Sequence, residues 1–295
     1  MDSTDEAAAA ASVPMSRQID FTAKTNGQDY RVQIALPLTP APEGGYATLY
    51  VLDGDINFGA FAGAARMRAL TGELAPAVVV GIGYPEAQEQ LLASLMRRNA
   101  DLTPTQGDAA TRERVSRQLG GLDVGRLGGA DDFLEVIERE IKPRVAALAP
   151  VAPGRDVLFG HSLGGLFVLH ALFARPQSFA TFLALSPSIW WDGEAVLRRE
   201  DAFSARVARG EITPRVFIGV GGREQNPAFV PQLPAAEVLA AAMVDNARGL
   251  GERLAGLAGG AGYAAFWRVF DDQSHLAVVS TSMSTLLDFG LPPEG

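Results

Sequence analysis

The sequence predicts an α/β fold: a mainly parallel central sheet with an N-terminal antiparallel hairpin at one edge and helices on both faces. Three observations carry that expectation. Short apolar runs bounded by Gly, Pro and Asp recur along the chain, as strands buried on both faces require. They alternate with longer segments of helical periodicity, the pattern of strand–helix–strand crossovers. Two β-rich runs near the start are separated by little more than a turn signal.

Taken in order, residues 17–24 and 29–36 flank Asn26-Gly27 and read as the hairpin. Residues 47–52 and 77–82 read as buried strands, with an Ala- and Arg-rich helix at 57–70 between them. From 86 to 129 the pattern weakens into polar residues, Thr-Pro and Gly pairs, an insertion over one end of the sheet with one helix near 108–119. Phe133, Leu134, Ile137, Ile141, Val145 and Leu148 then recur at helical spacing over 131–148. Strands follow at 157–159, 180–185, 215–220 and 263–270, and helices at 163–174, 193–209, 235–255 and 276–288.

The chain has 295 residues, 47% hydrophobic and 20% charged, enough for one large core, and is read as a single domain over 16–295. A formal charge of −9 disfavours binding to nucleic acid or anionic lipid. Cysteine is absent, which excludes disulfides, thiolate metal sites and a cysteine nucleophile. No apolar run approaches the ~18 residues of a membrane span. Residues 1–15 read as a disordered lead-in whose acidic, Ala-rich start is unlike a secretory signal. That predicts a cytoplasmic protein, or a periplasmic one if a leader has been removed. Oligomeric state is not legible.

Chemistry enters at Gly160-His161-Ser162-Leu163-Gly164, a Gly-x-Ser-x-Gly with a strand running in and an apolar helix running out. The five-residue pattern alone is weak; the strand–turn–helix context is what a nucleophile elbow needs. Ser162 then stands above the sheet on a strained turn, with Gly160 and Gly164 leaving room for strand and helix to approach. This points to the α/β-hydrolase fold.

Three histidines are available as the base. His161 adjoins the nucleophile and should point away from it, and His170 lies roughly 12 Å down the helix; both read as packing or polar-cap histidines. His275, in the loop after the strand 263–270, remains. Glu224, after the strand 215–220, is the favoured orienting acid, with Asp192 second; Asp271 and Asp272 read as surface residues. The oxyanion hole is expected from the N–H of Leu163 and from the turn after 47–52, where Asp55 is favoured over Gly54.

The run 158–167 and Ser186-Pro-Ser-Ile-Trp-Trp191 resemble the IroE-like and Fes-like esterases that open catecholate siderophores. So do Tyr50-Val-Leu-Asp-Gly54, Val80-Gly-Ile-Gly-Tyr-Pro85, Arg98-x-x-Asp101-x-Thr103-Pro104, Gly129-Ala-Asp-Asp-Phe-Leu134 and His275. The resemblance implies Ser162 and His275 as catalytic, Arg98 as a substrate contact, and Trp190 and Trp191 as pocket walls. It also implies that some members work as a Ser–His dyad without an acid. The expected partner is a small-molecule ester, with iron arriving only as a siderophore's cargo; no cofactor or metal is implied. A general carboxylesterase or thioesterase for small acyl esters stays open, as does a non-catalytic binding protein on the same fold.

Overall fold

The computed structural model describes residues 12–85, 91–118 and 120–293. β1 (Ser16–Thr22) and β2 (Asp29–Ala35) form the expected hairpin, with Thr22 opposite Asp29. β3 (Tyr46–Leu52), β4 (Ala77–Gly83), β5 (Val151–His161), β6 (Thr181–Leu185), β7 (Arg215–Gly221) and β8 (Ala264–Phe270) complete one eight-stranded sheet. Its order is β1-β2-β4-β3-β5-β6-β7-β8; β2 meets β4 antiparallel, and the pairings from β4 across to β8 are parallel.

Every residue of β3, β4 and β6 is buried, because helices cover both faces. Alternation along each strand divides the side chains between two cores. Tyr50, Leu52, Val80, Leu158 and Phe182 face one; Leu49, Val51, Val79, Phe159 and Leu183 face the other. The second core is closed by α1 (Gly54–Leu70) through Phe58 and Phe61 and by α10 (Ala277–Gly290) through Val278 and Leu286. The first is closed by α4 (Ala130–Val136), α6 (Leu163–Ala174) and α9 (Met243–Ala255). α6 is buried all round, from Leu163 through Phe173, and apolar but for His170. Each Leu or Phe so buried stabilises the fold by about 2 kcal/mol relative to exposure.

Several expected helices are interrupted. The helix read over 131–148 is α4, a π-helical turn at Ile137–Ile141, then α5 (Lys142–Ala146). Pro143 follows that turn; a wider turn before a proline relieves the clash its ring makes with an ordinary helical carbonyl. The helix read over 235–255 breaks at Ala242, which is left-handed (φ 45°), into α8 (Ala235–Ala241) and α9. Over 193–209 a 3-10 turn at Ala195–Arg199 precedes α7 (Glu200–Ala208).

The segment 86–129 departs most from expectation, carrying two helices rather than one: α2 (Leu91–Leu102) and α3 (Ala109–Gln118). Residues 86–90 lie outside the described ones. The polar residues that made the segment look like loop are hydrogen-bonded inside it. Thr103 Oγ1 donates to the Asn99 carbonyl (2.7 Å) and accepts from Gly128 N–H (2.8 Å). Gly129 N–H in turn donates to the Ala100 carbonyl (2.8 Å).

Of the expected disordered lead-in, residues 1–11 lie outside the described ones. Its end is held: buried Arg66 on α1 donates to the carbonyls of Pro14 (2.6 Å), Met15 (2.7 Å) and Leu36 (2.8 Å). Among the described residues, no helix is long and apolar enough to cross a membrane.

Candidate active site

Ser162 occupies the sharp turn between β5 and α6 with φ 61° and ψ −118°, a backbone conformation an L-residue adopts only under constraint. Its N–H donates to the Leu185 carbonyl (3.0 Å), and its own carbonyl accepts from Leu166 (3.0 Å) and Ser188 (3.2 Å). The glycines divide the work differently from the motif. A Cβ on Gly160 would lie 2.3 Å from the Gly164 carbonyl oxygen, so this residue must be glycine. A Cβ on Gly164 would meet nothing closer than Asp53 Oδ2 at 3.5 Å, an ordinary contact. The second true steric limit is Gly165, whose Cβ would fall 2.7 Å from the Leu185 carbonyl oxygen.

β7 and β8 deliver the other two groups. Glu224 follows β7 and is 4% exposed; its Oε2 accepts from His275 Nδ1 at 2.6 Å. Its Oε1 accepts from Ser186 Oγ (2.5 Å) and Gly221 N–H (2.7 Å), so the carboxylate is fully engaged and cannot rotate away. With Nδ1 given to Glu224, Nε2 is the nitrogen left to His275 for proton transfer.

His161 has a larger part than a packing histidine. Its Nε2 lies 2.7 Å from the His275 carbonyl oxygen, and the two rings are 4.5 Å apart. Burial first, then the neighbouring His275 and Arg98, holds His161 well below the usual imidazole range. It is therefore neutral, and because its partner is a carbonyl, the proton sits on Nε2 and is donated.

A cleft of about 470 Å³ opens over these groups, lined by Ser162, Leu163, Glu224, His275, Arg98 and Trp190 among others. Its walls come from α2, α3 and residues 230–243. Arg98 is bound through Nε (2.5 Å) and Nη2 (3.0 Å) to the carboxylate of Asp53, the left-handed residue between β3 and α1. Burial lowers its pKa, but the charge and hydrogen bonds of Asp53 more than offset this and hold the guanidinium above its ordinary value.

Other expected residues stand elsewhere. Trp191 is completely buried off the cleft, its Nε1–H donating to Thr105 Oγ1 (3.0 Å); it fastens the insertion instead of walling the pocket. Asp192 does the same, accepting from Asp108 N–H (3.1 Å), and does not meet His275. Gly54 and Asp55 do not line the cleft, and the Asp55 carboxylate accepts from Tyr84 N–H (2.9 Å). Asp272 pairs with Arg223 at the surface. His170 bonds Asp131 (2.9 Å), the polar cap expected of it. Among the described residues no cluster of three His, Asp or Glu side chains could hold a metal ion. Sequence reasoning missed Ser186; its position as the first residue after β6, the strand flanking the nucleophile strand, is the signal that could have found it.

A family model described as "Putative esterase" matches residues 23–273. The ferri-bacillibactin esterase of Bacillus subtilis is 32% identical over 97% of this chain and 93% of its own length. The siderophore triacetylfusarinine C esterase of Aspergillus fumigatus is 36% identical over 73% of this chain and 70% of its own. The crystal structure of the BES protein from Bacillus cereus superposes with a TM-score of 0.80 at 31% identity, covering 98% of this chain and 99% of that one. An eight-stranded α/β-hydrolase sheet, a serine elbow and matches of this length together place the chain in that esterase family, as a carboxylic ester hydrolase.

Proposed function

We propose that this chain hydrolyses a siderophore-type trilactone or a related ester through an acyl-enzyme formed on Ser162. The observation that carries the reading is His275, held by Glu224 at 2.6 Å in the same cleft as a serine on a strained strand–helix turn. His275 Nε2 takes the Ser162 hydroxyl proton as Oγ bonds to the ester carbonyl carbon. The N–H of Leu163, at the start of α6, stabilises the oxyanion. The carbon–oxygen bond to the alcohol breaks, and the imidazolium protonates the leaving alkoxide. Water then gives a proton to His275 and adds to the acyl carbon, releasing the acid and restoring Ser162. The substrate class rests on the relatives named as siderophore esterases; an iron-loaded siderophore would bring its metal as cargo.

The test compares wild type with Ser162→Ala on a catecholate trilactone and on 4-nitrophenyl butyrate, with chromatographic product analysis. Trilactone opening that greatly exceeds butyrate cleavage, is lost in the variant and is blocked by a serine-reactive phosphonate is the expected result. Butyrate cleavage alone would leave a general carboxylesterase; failure of the phosphonate to label Ser162 would end the serine-hydrolase reading.

A further inference from the structure

Three arginines line the cleft, Arg98, Arg114 and Arg117, and two of them are already neutralised. Arg98 is bidentate on Asp53. Arg117 pairs with the carboxylates of Glu113 and Glu237. The cleft's own carboxylate, Glu224, is committed to His275, Ser186 and Gly221. Arg114 differs. Its Nη2 donates to the backbone carbonyl of Glu237 (3.1 Å), its guanidinium lies 4.0 Å from the centre of the Trp190 ring, and its buried Nε has no acceptor. No carboxylate among the described residues pairs with it.

A guanidinium carries five donors in a planar fork, and leaving a buried one such as this Nε–H unmet is costly. Burial, and then the nearby Arg117, push Arg114 below the ordinary arginine value, the opposite of what Asp53 does for Arg98. The indole face keeps the fork flat and oriented, so it is pre-formed for an oxygen anion. Beside it, Val238, Ala241 and Met243 offer an apolar wall for the body that carries the anion.

We infer that Arg114, stacked on Trp190, is the charge-selecting residue of this cleft and receives an anionic oxygen of the substrate away from the scissile ester. The inference rests on the esterase reading above and deepens it: esters bearing a second, negatively charged group are preferred over uncharged ones of the same length. Arg98 leaves this role open because its charge is already answered by Asp53.

The test uses the full-length enzyme with 4-nitrophenyl hemiadipate and its uncharged counterpart, 4-nitrophenyl hexanoate. The ratio of kcat/KM for the charged over the uncharged ester should fall by about tenfold in Arg114→Gln, chiefly through KM, and recover partly in Arg114→Lys. A ratio unchanged in Arg114→Gln overturns the inference, even if both rates fall together. A second arm needs no turnover: monomethyl adipate is titrated against Ser162→Ala by tryptophan fluorescence. Binding weakened by adding Arg114→Gln supports the charge-selecting role even if wild type cleaves neither ester, an outcome that would count against the esterase reading alone. Binding that is equally tight without Arg114 overturns it.

Discussion

His161 Nε2–H donates a hydrogen bond to the backbone carbonyl of His275 (2.7 Å), and Glu224 Oε2 accepts one from His275 Nδ1–H (2.6 Å). His275, the proposed base, is thus held twice, by its ring from the turn after β7 and by its main chain from the end of β5. His161→Leu keeps much of the volume and removes the main-chain restraint. We expect kcat on 4-nitrophenyl butyrate to fall by about tenfold, the worth of one well-placed hydrogen bond, with KM little changed. Steady-state kinetics on the folded variant check this; an unchanged kcat would show that the Glu224 contact alone suffices.

Glu224 and Ser186 form the next test. Glu224→Gln places an amide group against Nδ1 and favours the wrong tautomer, and kcat should drop by about 10³–10⁴. Ser186→Ala leaves the carboxylate its other two donors, so a loss of about tenfold is expected. Ser186 also has φ 44°, so Ser186→Gly should be more stable than Ser186→Ala while showing the same kinetic loss. Thermal denaturation beside kinetics separates strain from hydrogen bonding.

The elbow glycines give a prediction that runs against the motif. Gly164→Ala, with 3.5 Å of clearance, should fold with a Tm close to wild type. Gly165→Ala drives its methyl to 2.7 Å from the Leu185 carbonyl oxygen and should destabilise by about 1–3 kcal/mol. Equal Tm values for the two variants would refute the assignment.

Asp101 predicts a pH dependence. Its buried carboxyl accepts from Tyr30 (2.9 Å) and Tyr84 (3.1 Å), yet burial outweighs these bonds and the charges of Arg97 and Arg126 and pushes its pKa up to about 6. A carboxyl raised in the folded state contributes stability that is complete below its unfolded pKa, 3.8, and lost as pH rises through about 6. The loss amounts to at most about 3 kcal/mol. Asp101→Asn does not titrate, so its Tm relative to wild type should rise between pH 5 and pH 7.5. A difference that falls over that range would reverse the sign of the argument.

The sheet and the strained strand–turn–helix passage at Ser162 were legible in the sequence because they depend on local pattern. Buried parallel strands leave apolar runs with punctuated ends, and a strand–Gly-x-Ser-x-Gly–helix passage carries its own steric logic. Elimination among three histidines singled out His275, which the structure sets on the cleft against Glu224. What stayed hidden depends on pairing across the chain. The helix carrying Arg98 and Asp101 read as loop, and the partners of Arg98, Asp101 and Thr103 (Asp53, Tyr30 with Tyr84, and Gly128) were not legible because they lie 17 to 71 residues away. The two tryptophans are adjacent in sequence and of one type, yet Trp190 borders the cleft while Trp191 is core; neighbours on a turn diverge in direction, and composition does not report it.

The stitching of the insertion has a consequence for redesign. The proposed chemistry sits on residues at the ends of β5, β7 and β8, whereas the cleft walls are borrowed from α2, α3 and residues 230–243. Recognition should therefore be transplantable between relatives without rebuilding the reactive core. Trp191 and Asp192 set the terms of such a chimera: they grip Thr105 and Asp108, and the Asp192 N–H reaches Thr111 Oγ1 (3.2 Å). A donor segment that lacks matching hydroxyls at those two threonines would arrive without its moorings, however well its walls fit the new ligand.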